Sequence, residues 1–144
     1  MNEKQQEDKI KITIKATVKA PVEKVWKCFT EPEHIKKWNS ASEDWHTTVA
    51  ENDLRVGGKF LSRMEAKDGS FGFDFSGVYD EVKLFENIAY ILDDGRKVNI
   101  VFVGDEKKTE VTETFEAEDT NPIEMQQGGW QSILNNFKKY TEEI

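Results

Sequence analysis

Between residues 45 and 117 the chain shows no helical hydrophobic period. Instead, runs rich in Val, Ile, Phe and Thr are separated by the turn dipeptides Gly57-Gly58, Asp68-Gly69, Asp94-Gly95 and Gly104-Asp105. Turn chemistry at such intervals leaves room for short antiparallel strands joined by hairpins and for little else. The spacing predicts strands near 45–51, 58–66, 70–81, 86–93, 97–104 and 108–117. A further strand precedes them, because Ile10, Ile12, Ile14, Ala16 and Val18 alternate with Lys11, Thr13, Lys15, Thr17 and Lys19. Alternation of period two marks a strand with one face buried. Seven sequential strands predict a strongly curved antiparallel sheet.

Helical spacing occurs on both sides of this meander. Pro21 suits a first helical turn, and Val22, Val25, Trp26 and Phe29 fall at i, i+3, i+4 and i+7, which gathers them on one face. Pro32 restarts the pattern with Ile35 and Trp38 three apart. Near the end, Asn121 as cap, Pro122 at the first helical position and Glu124 at the third form a helix-start signature. Ile123, Trp130, Ile133, Leu134, Phe137 and Ile144 then trace one stripe, which Gly128-Gly129 interrupts. Two glycines in a helix cost about 1 kcal/mol each relative to alanine, a cost tolerated where backbones approach closely or the helix bends. In the fourth strand Phe71, Phe73 and Phe75 share a face that Val78 and Val82 do not, so a bulge or bend is expected around Gly77.

The expected organisation is a flexible tail over residues 1–9 and a single α+β domain over 10–144: a six- to seven-stranded curved sheet, two short helices and a long C-terminal helix. At 144 residues such a domain buries roughly two-thirds of its unfolded surface without disulfides or metals. The first ten residues lack the apolar core of a signal peptide, and no later run reaches the length of a membrane span. Cys28 is the single cysteine, so neither an internal disulfide nor a thiol pair for zinc or redox chemistry is available, and a reducing cytoplasm is the expected location. A formal charge of −8 repels phosphates and anionic lipid headgroups; nucleic acid and membrane insertion are not expected.

The resemblance to a known family rests on several motifs in order. Ala20-Pro21-Val22-Glu23-Lys24-Val25-Trp26 and Glu31-Pro32-Glu33-His34-Ile35-Lys36-Lys37-Trp38 resemble the opening segment of START-like, SRPBCC-type helix-grip domains. Arg55-Val56-Gly57-Gly58-Lys59-Phe60, Asp68-Gly69, Phe75-Ser76-Gly77-Val78-Tyr79 and Gly129-Trp130-Gln131-Ser132-Ile133-Leu134 resemble the branch named after the activator of the heat-shock protein 90 ATPase. The resemblance runs from about residue 10 to residue 142. It implies a deep, mostly apolar cavity between the concave sheet and the last helix, and a lipid- or polyketide-like partner. The branch name also implies a chaperone partner and a role in stress response, although the eukaryotic activators pair this module with a separate N-terminal domain.

The side chains expected around such a cavity are Trp45, Phe60, Met64, Phe71, Phe73, Phe75, Tyr90, Phe102, Glu113 and Phe115 from the strands, with Trp130, Leu134 and Phe137 from the last helix. Nine phenylalanines, four tryptophans and three tyrosines serve first to fill a small core, and the same side chains also suit an aromatic-lined pocket. Glu113 is the one carboxylate whose parity, shared with Val111 and Phe115, points inward. An inward Glu113 calls for polar partners, with Arg63, Tyr79 and Tyr90 on neighbouring strands, whereas a bulge or rim position would leave it in water. No cofactor or metal is expected: neither His34 nor His46 has a second ligand at zinc spacing, and no nucleophile elbow or phosphate loop is present. Non-enzymatic binding of a hydrophobic or amphipathic small molecule is the leading expectation. The alternatives are a cavity enzyme of cyclase or hydrolase type, with Glu113 as acid or base, and a co-chaperone-like interaction module.

Overall fold

Strict alternation over Lys11–Val18 turns Ile12, Ile14, Ala16 and Val18 into the core and leaves the intervening Lys and Thr in water, forming strand β1. Helices α1 (Val22–Thr30) and α2 (Pro32–Trp38) follow. The meander then runs through β2 (Trp45–Asn52), β3 (Lys59–Ala66), β4 (Gly72–Lys83), β5 (Asn87–Leu92), β6 (Lys97–Gly104) and β7 (Thr109–Glu116), and α3 (Ile123–Glu143) ends the chain. The computed structural model describes residues 9–144. The flexible tail expected over 1–9 therefore lies, apart from Lys9, outside the described residues.

The seven strands form one antiparallel sheet in the order β1-β7-β6-β5-β4-β3-β2. The first strand pairs with the last, with Ile14 opposite Glu113, so β1 and β2 occupy opposite edges and α1 and α2 bridge them. A sheet of this width twists and curls, and α3 lies across its concave side, packed along β1 while α2 packs along β2. This is the helix-grip fold.

Four local expectations are corrected. The helix start is one residue later than the motif suggests: Pro122 occupies the N-cap and no side chain caps α3. Asn121 instead donates its side-chain amide to Glu118 at 2.9 Å. Gln126 does the tethering, accepting from the Glu118 backbone N–H at 2.9 Å and donating to the Glu118 and Asn121 carbonyls. A buried glutamine that satisfies a loop's own backbone fixes the approach to the helix as firmly as a cap would.

The irregularity in β4 lies at Asp80, between the pairs Tyr79–Tyr90 and Glu81–Ala89, not at Gly77. Phe75, Gly77 and Tyr79 keep one inward parity up to that bulge, Val78 faces out, and the extra residue brings Val82 back against the core. Gly77 is required for a different reason: a Cβ there would sit 2.5 Å from the Ile91 carbonyl oxygen and 3.0 Å from the Phe60 ring. Lastly, a Cβ at Gly128 or Gly129 would meet nothing within 4 Å, so no close backbone approach demands the glycine pair of α3. Ile144, expected on the apolar stripe, lies beyond the helix and is exposed.

Candidate functional site

The interior has a packed end and an open end, and Phe29 and Trp38 stand at the boundary, packed into the one and lining the other. At the closed end, α1, α2 and the C-terminal half of α3 press directly onto the sheet. Phe29 meets Trp38, Phe102 and Phe137 at ring separations of 5.4, 5.5 and 5.1 Å, and Trp26 meets Phe102 at 5.1 Å. Trp38 also donates its indole N–H to the Cys28 carbonyl, which locks α2 onto α1. Cys28 itself is buried beside this packing, and burial pushes its thiol above the ordinary range.

At the other end, the N-terminal half of α3 stands away from β2–β5 and leaves a cavity of about 330 Å³. Phe60, Ser62 and Met64 line it from β3 and Phe73, Phe75 and Tyr79 from β4. Tyr90 of β5 and Glu113 of β7 form its floor, and Trp130 and Ile133 of α3 cover it. Phe60 makes the wall continuous, with its ring 4.7 Å from Tyr90 and 5.9 Å from Phe75. Trp130 stacks on Phe115 at 3.8 Å and meets Phe75 edge-on at 5.9 Å. These aromatic pairs hold the cover to the wall.

Of the thirteen expected side chains, the structure brings Phe60, Met64, Phe73, Phe75, Tyr90, Glu113 and Trp130 to the cavity surface. Phe102, Leu134 and Phe137 do not reach it; each is buried in the packed core. Phe115 points inward, but the Trp130 ring covers it. Trp45 and Phe71 stand outside the cavity, their rings 5.9 and 6.5 Å from Phe73 at the rim; Phe71 precedes β4 in the turn and is 63% exposed. The cavity also takes in residues the sequence reading did not name. Parity with Phe60 and Met64 was signal enough for Ser62, whereas Asn52, Arg96 and Glu118 sit at a strand end and in loops where no period applies, and Gln126 is a polar residue in the first turns of α3.

The polar groups of the cavity are unevenly satisfied. Tyr79 donates to Asn52 Oδ1 at 2.5 Å, and Asn52 in turn donates to the Thr30 carbonyl at 2.6 Å, which ties β4 and β2 to the end of α1. Burial drives the Tyr79 phenol far above its ordinary range, the Asn52 bond offsetting this in part. Arg96, in the turn between β5 and β6, donates its Nε to Asp94 at 2.8 Å. Glu113 is 8% exposed and no side-chain or backbone group among the described residues bonds its carboxyl. Burial alone pushes it up to about 8. Tyr90, its ring open to the cavity, is raised first by burial and then by the neighbouring Glu113 and Tyr79, with Arg96 opposing. Arg63, the first partner considered for Glu113, lies on the outer face and bonds Glu65 and Asp74 at 3.0 and 3.3 Å.

Among the described residues, no three His, Cys, Asp or Glu side chains converge as a metal site would require. His34 Nδ1 instead lies 2.6 Å from the Tyr140 hydroxyl, between α2 and α3. Among the described residues, no helix is long and apolar enough to cross a membrane.

Comparison with known proteins places this geometry in context. The sequence model of the activator of Hsp90 ATPase homolog 1-like proteins matches residues 19–142. The solution structure of an AHSA1-like protein from Aeromonas hydrophila is 46% identical, covering 93% of both chains, with a TM-score of 0.87. A protein from Cytophaga hutchinsonii is 56% identical over 92% of both chains, with a TM-score of 0.80. The Aha1 dimer of Colwellia psychrerythraea, 16% identical over 92% of this chain and 96% of that one with a TM-score of 0.72, shares the fold. No curated protein matches the chain at a significant level.

Proposed function

The chain belongs to the activator of Hsp90 ATPase homolog 1-like family, and from that premise we propose that it binds a hydrophobic or amphipathic small molecule, lipid- or polyketide-like, without transforming it. One observation carries this reading. A cavity of about 330 Å³ walled by Phe60, Phe75, Tyr79, Tyr90 and Trp130 stands open in a domain whose other half is tightly packed. Ligand sites typically occupy about 300–1,000 Å³, lined by apolar and aromatic surface with a few placed polar groups. An interior of ordinary packing density holds few voids larger than a water molecule, so an open aromatic pocket of this size supports a ligand site. The lone Cys28 supports a reducing, cytoplasmic setting for this work.

Native mass spectrometry of protein purified gently from its own host tests the proposal. The expected spectrum shows a bound species whose mass is lost on extraction with organic solvent and restored by incubation with the host's lipid extract. A chain that stays at its bare mass before and after such incubation contradicts it.

A further inference from the structure

The cavity is walled mainly by apolar and aromatic side chains, and its floor carries Glu113 and Tyr90. The register sets them two strands and one inward row apart: Glu113 pairs with Ile100 across β6 and β7, and the next inward row runs from Phe115 through Val98 to Tyr90. Neither group has a hydrogen-bond partner among the described residues, and Glu113 is more than nine-tenths buried. Orphaned polar groups in a protein interior are uncommon because each costs the desolvation it suffered. Two of them on one apolar floor mark a place where something else completes the bonding.

The complement follows from the chemistry of the pair. At neutral pH both are uncharged acids, since burial holds the carboxyl proton up to about 8 and the phenol titrates well above its ordinary value. Each then offers one O–H and lacks an acceptor to give it to. A single carbonyl oxygen, with two lone pairs, satisfies both at once. An amine is a poorer complement, because Arg96 lines the same cavity and repels a second cation, while an anionic head would meet Glu51 and Glu118 on the walls. We infer that Glu113 and Tyr90 form a two-donor seat for a carbonyl oxygen, and that the occupant is an apolar molecule bearing a ketone or an equivalent neutral acceptor. The inference rests on the cavity binding a small apolar molecule, as proposed above.

The groups that face this seat from the surrounding elements are Tyr79 of β4, Arg96 of the β5–β6 turn, Glu118 of the loop before α3 and Glu51 of β2. The strands beside β7 present only Ile14 and Ile100 to Glu113. Glu113 changes charge near pH 8, so loss of its proton removes one donor and leaves a carboxylate that repels the carbonyl.

Three probes of similar size separate the cases: acetylnaphthalene, isopropylnaphthalene, which lacks the oxygen, and the cation naphthylmethylamine. Affinities for the full chain are measured by calorimetry at about pH 6 and about pH 9.5, on either side of the carboxyl transition. The expected result is a ketone-to-hydrocarbon affinity ratio that falls about tenfold in Glu113→Leu and again in Tyr90→Phe, as one hydrogen bond each implies. In the wild type the ratio also falls at the higher pH. In Glu113→Gln, whose amide keeps a donor at both values, it does not. Hydrocarbon binding by each variant certifies that it is folded with its cavity intact. An unchanged ratio in Glu113→Leu and Tyr90→Phe overturns the seat while leaving the binding proposal standing, and tighter binding of the amine than of the ketone overturns it in favour of a charged Glu113. If neither naphthalene hydrocarbon nor ketone binds the wild type, the binding proposal fails and the seat with it.

Discussion

Phe137→Ala is expected to lower the unfolding free energy by about 3–5 kcal/mol, the range measured for removal of a buried aromatic ring. Phe137 is completely buried, and its ring is 5.1 Å from Phe29 and 5.0 Å from Trp38. It therefore joins all three helices at the closed end of the grip. Its loss leaves a void that the stacked rings cannot collapse into without breaking the Trp38 indole bond to Cys28. A domain of this size has a total stability of about 5–15 kcal/mol, so the variant would be close to unfolding. Ile133, one turn earlier on α3, makes the comparison informative, because its side chain already borders empty space. Ile133→Ala should cost only about 1 kcal/mol, since little packing is lost where no atoms stand opposite. Urea midpoints for the two variants check this, and equal losses would mean that the interior is not divided into a packed and an open half.

The second large effect is a dependence of stability on pH that runs opposite to the usual one for carboxylates. Glu113 titrates at about 8 in the folded chain against an ordinary value of 4.5. Between these values the native state holds a proton that the unfolded chain has released. Stability from this group is therefore greatest below about pH 4.5, declines as pH rises toward 8, and stays low above it. The loss is on the order of 5 kcal/mol, because removing the proton leaves a bare carboxylate among Ile14, Ile100 and aromatic rings. Asp68, Asp105, Glu118 and Glu142 act in the other direction. Each is held below its ordinary value chiefly by hydrogen bonds, those of Ser70, Lys107, Asn121 and Lys138 in turn, and so withdraws stability only as pH falls through the acid range. The sum is a maximum near mildly acidic pH. Glu113→Gln should abolish the alkaline decline, making the variant more stable than the wild type at about pH 9 and little different at about pH 5. Parallel curves for the two proteins across that range would show that Glu113 is solvated in the folded state.

The strands were legible because a half-buried strand writes its burial into alternate residues, and β1 and β7 carry that alternation almost without exception. The same alternation pointed Glu113 inward. Parity, however, says which face a side chain takes and not how far along the strand the helices come down on the sheet. Phe102, Leu134 and Phe137 therefore read the same as Phe60 and Phe75, although the first three fill the closed end and the last two line the void. Phe71 shows where alternation fails outright. It continues the spacing of Phe73 and Phe75, but the chain is still in its turn there, and the ring faces solvent. Arg63 and Tyr79 were indistinguishable as partners for Glu113 until the pairing of β3 with β4 set Arg63 opposite Asp74 on the outer face. Arg96 belongs to a turn, and no period announces that a turn residue reaches back over a cavity. Asn121 misled for a related reason: its sequence position was right for a cap, but the carboxylate of Glu118 engaged its side chain first.

The central claim is that the open half of the grip receives a small apolar molecule, and an NMR titration of the labelled full-length chain with isopropylnaphthalene tests it most directly. The account predicts a saturable change in aromatic and methyl resonances confined to Phe60, Phe75, Tyr90, Trp130 and Ile133, with Phe137 and Phe102 unmoved because they lie in the packed end. Small, unsaturable changes spread over exposed side chains such as Phe71 and Val103, with the cavity residues silent, would contradict it.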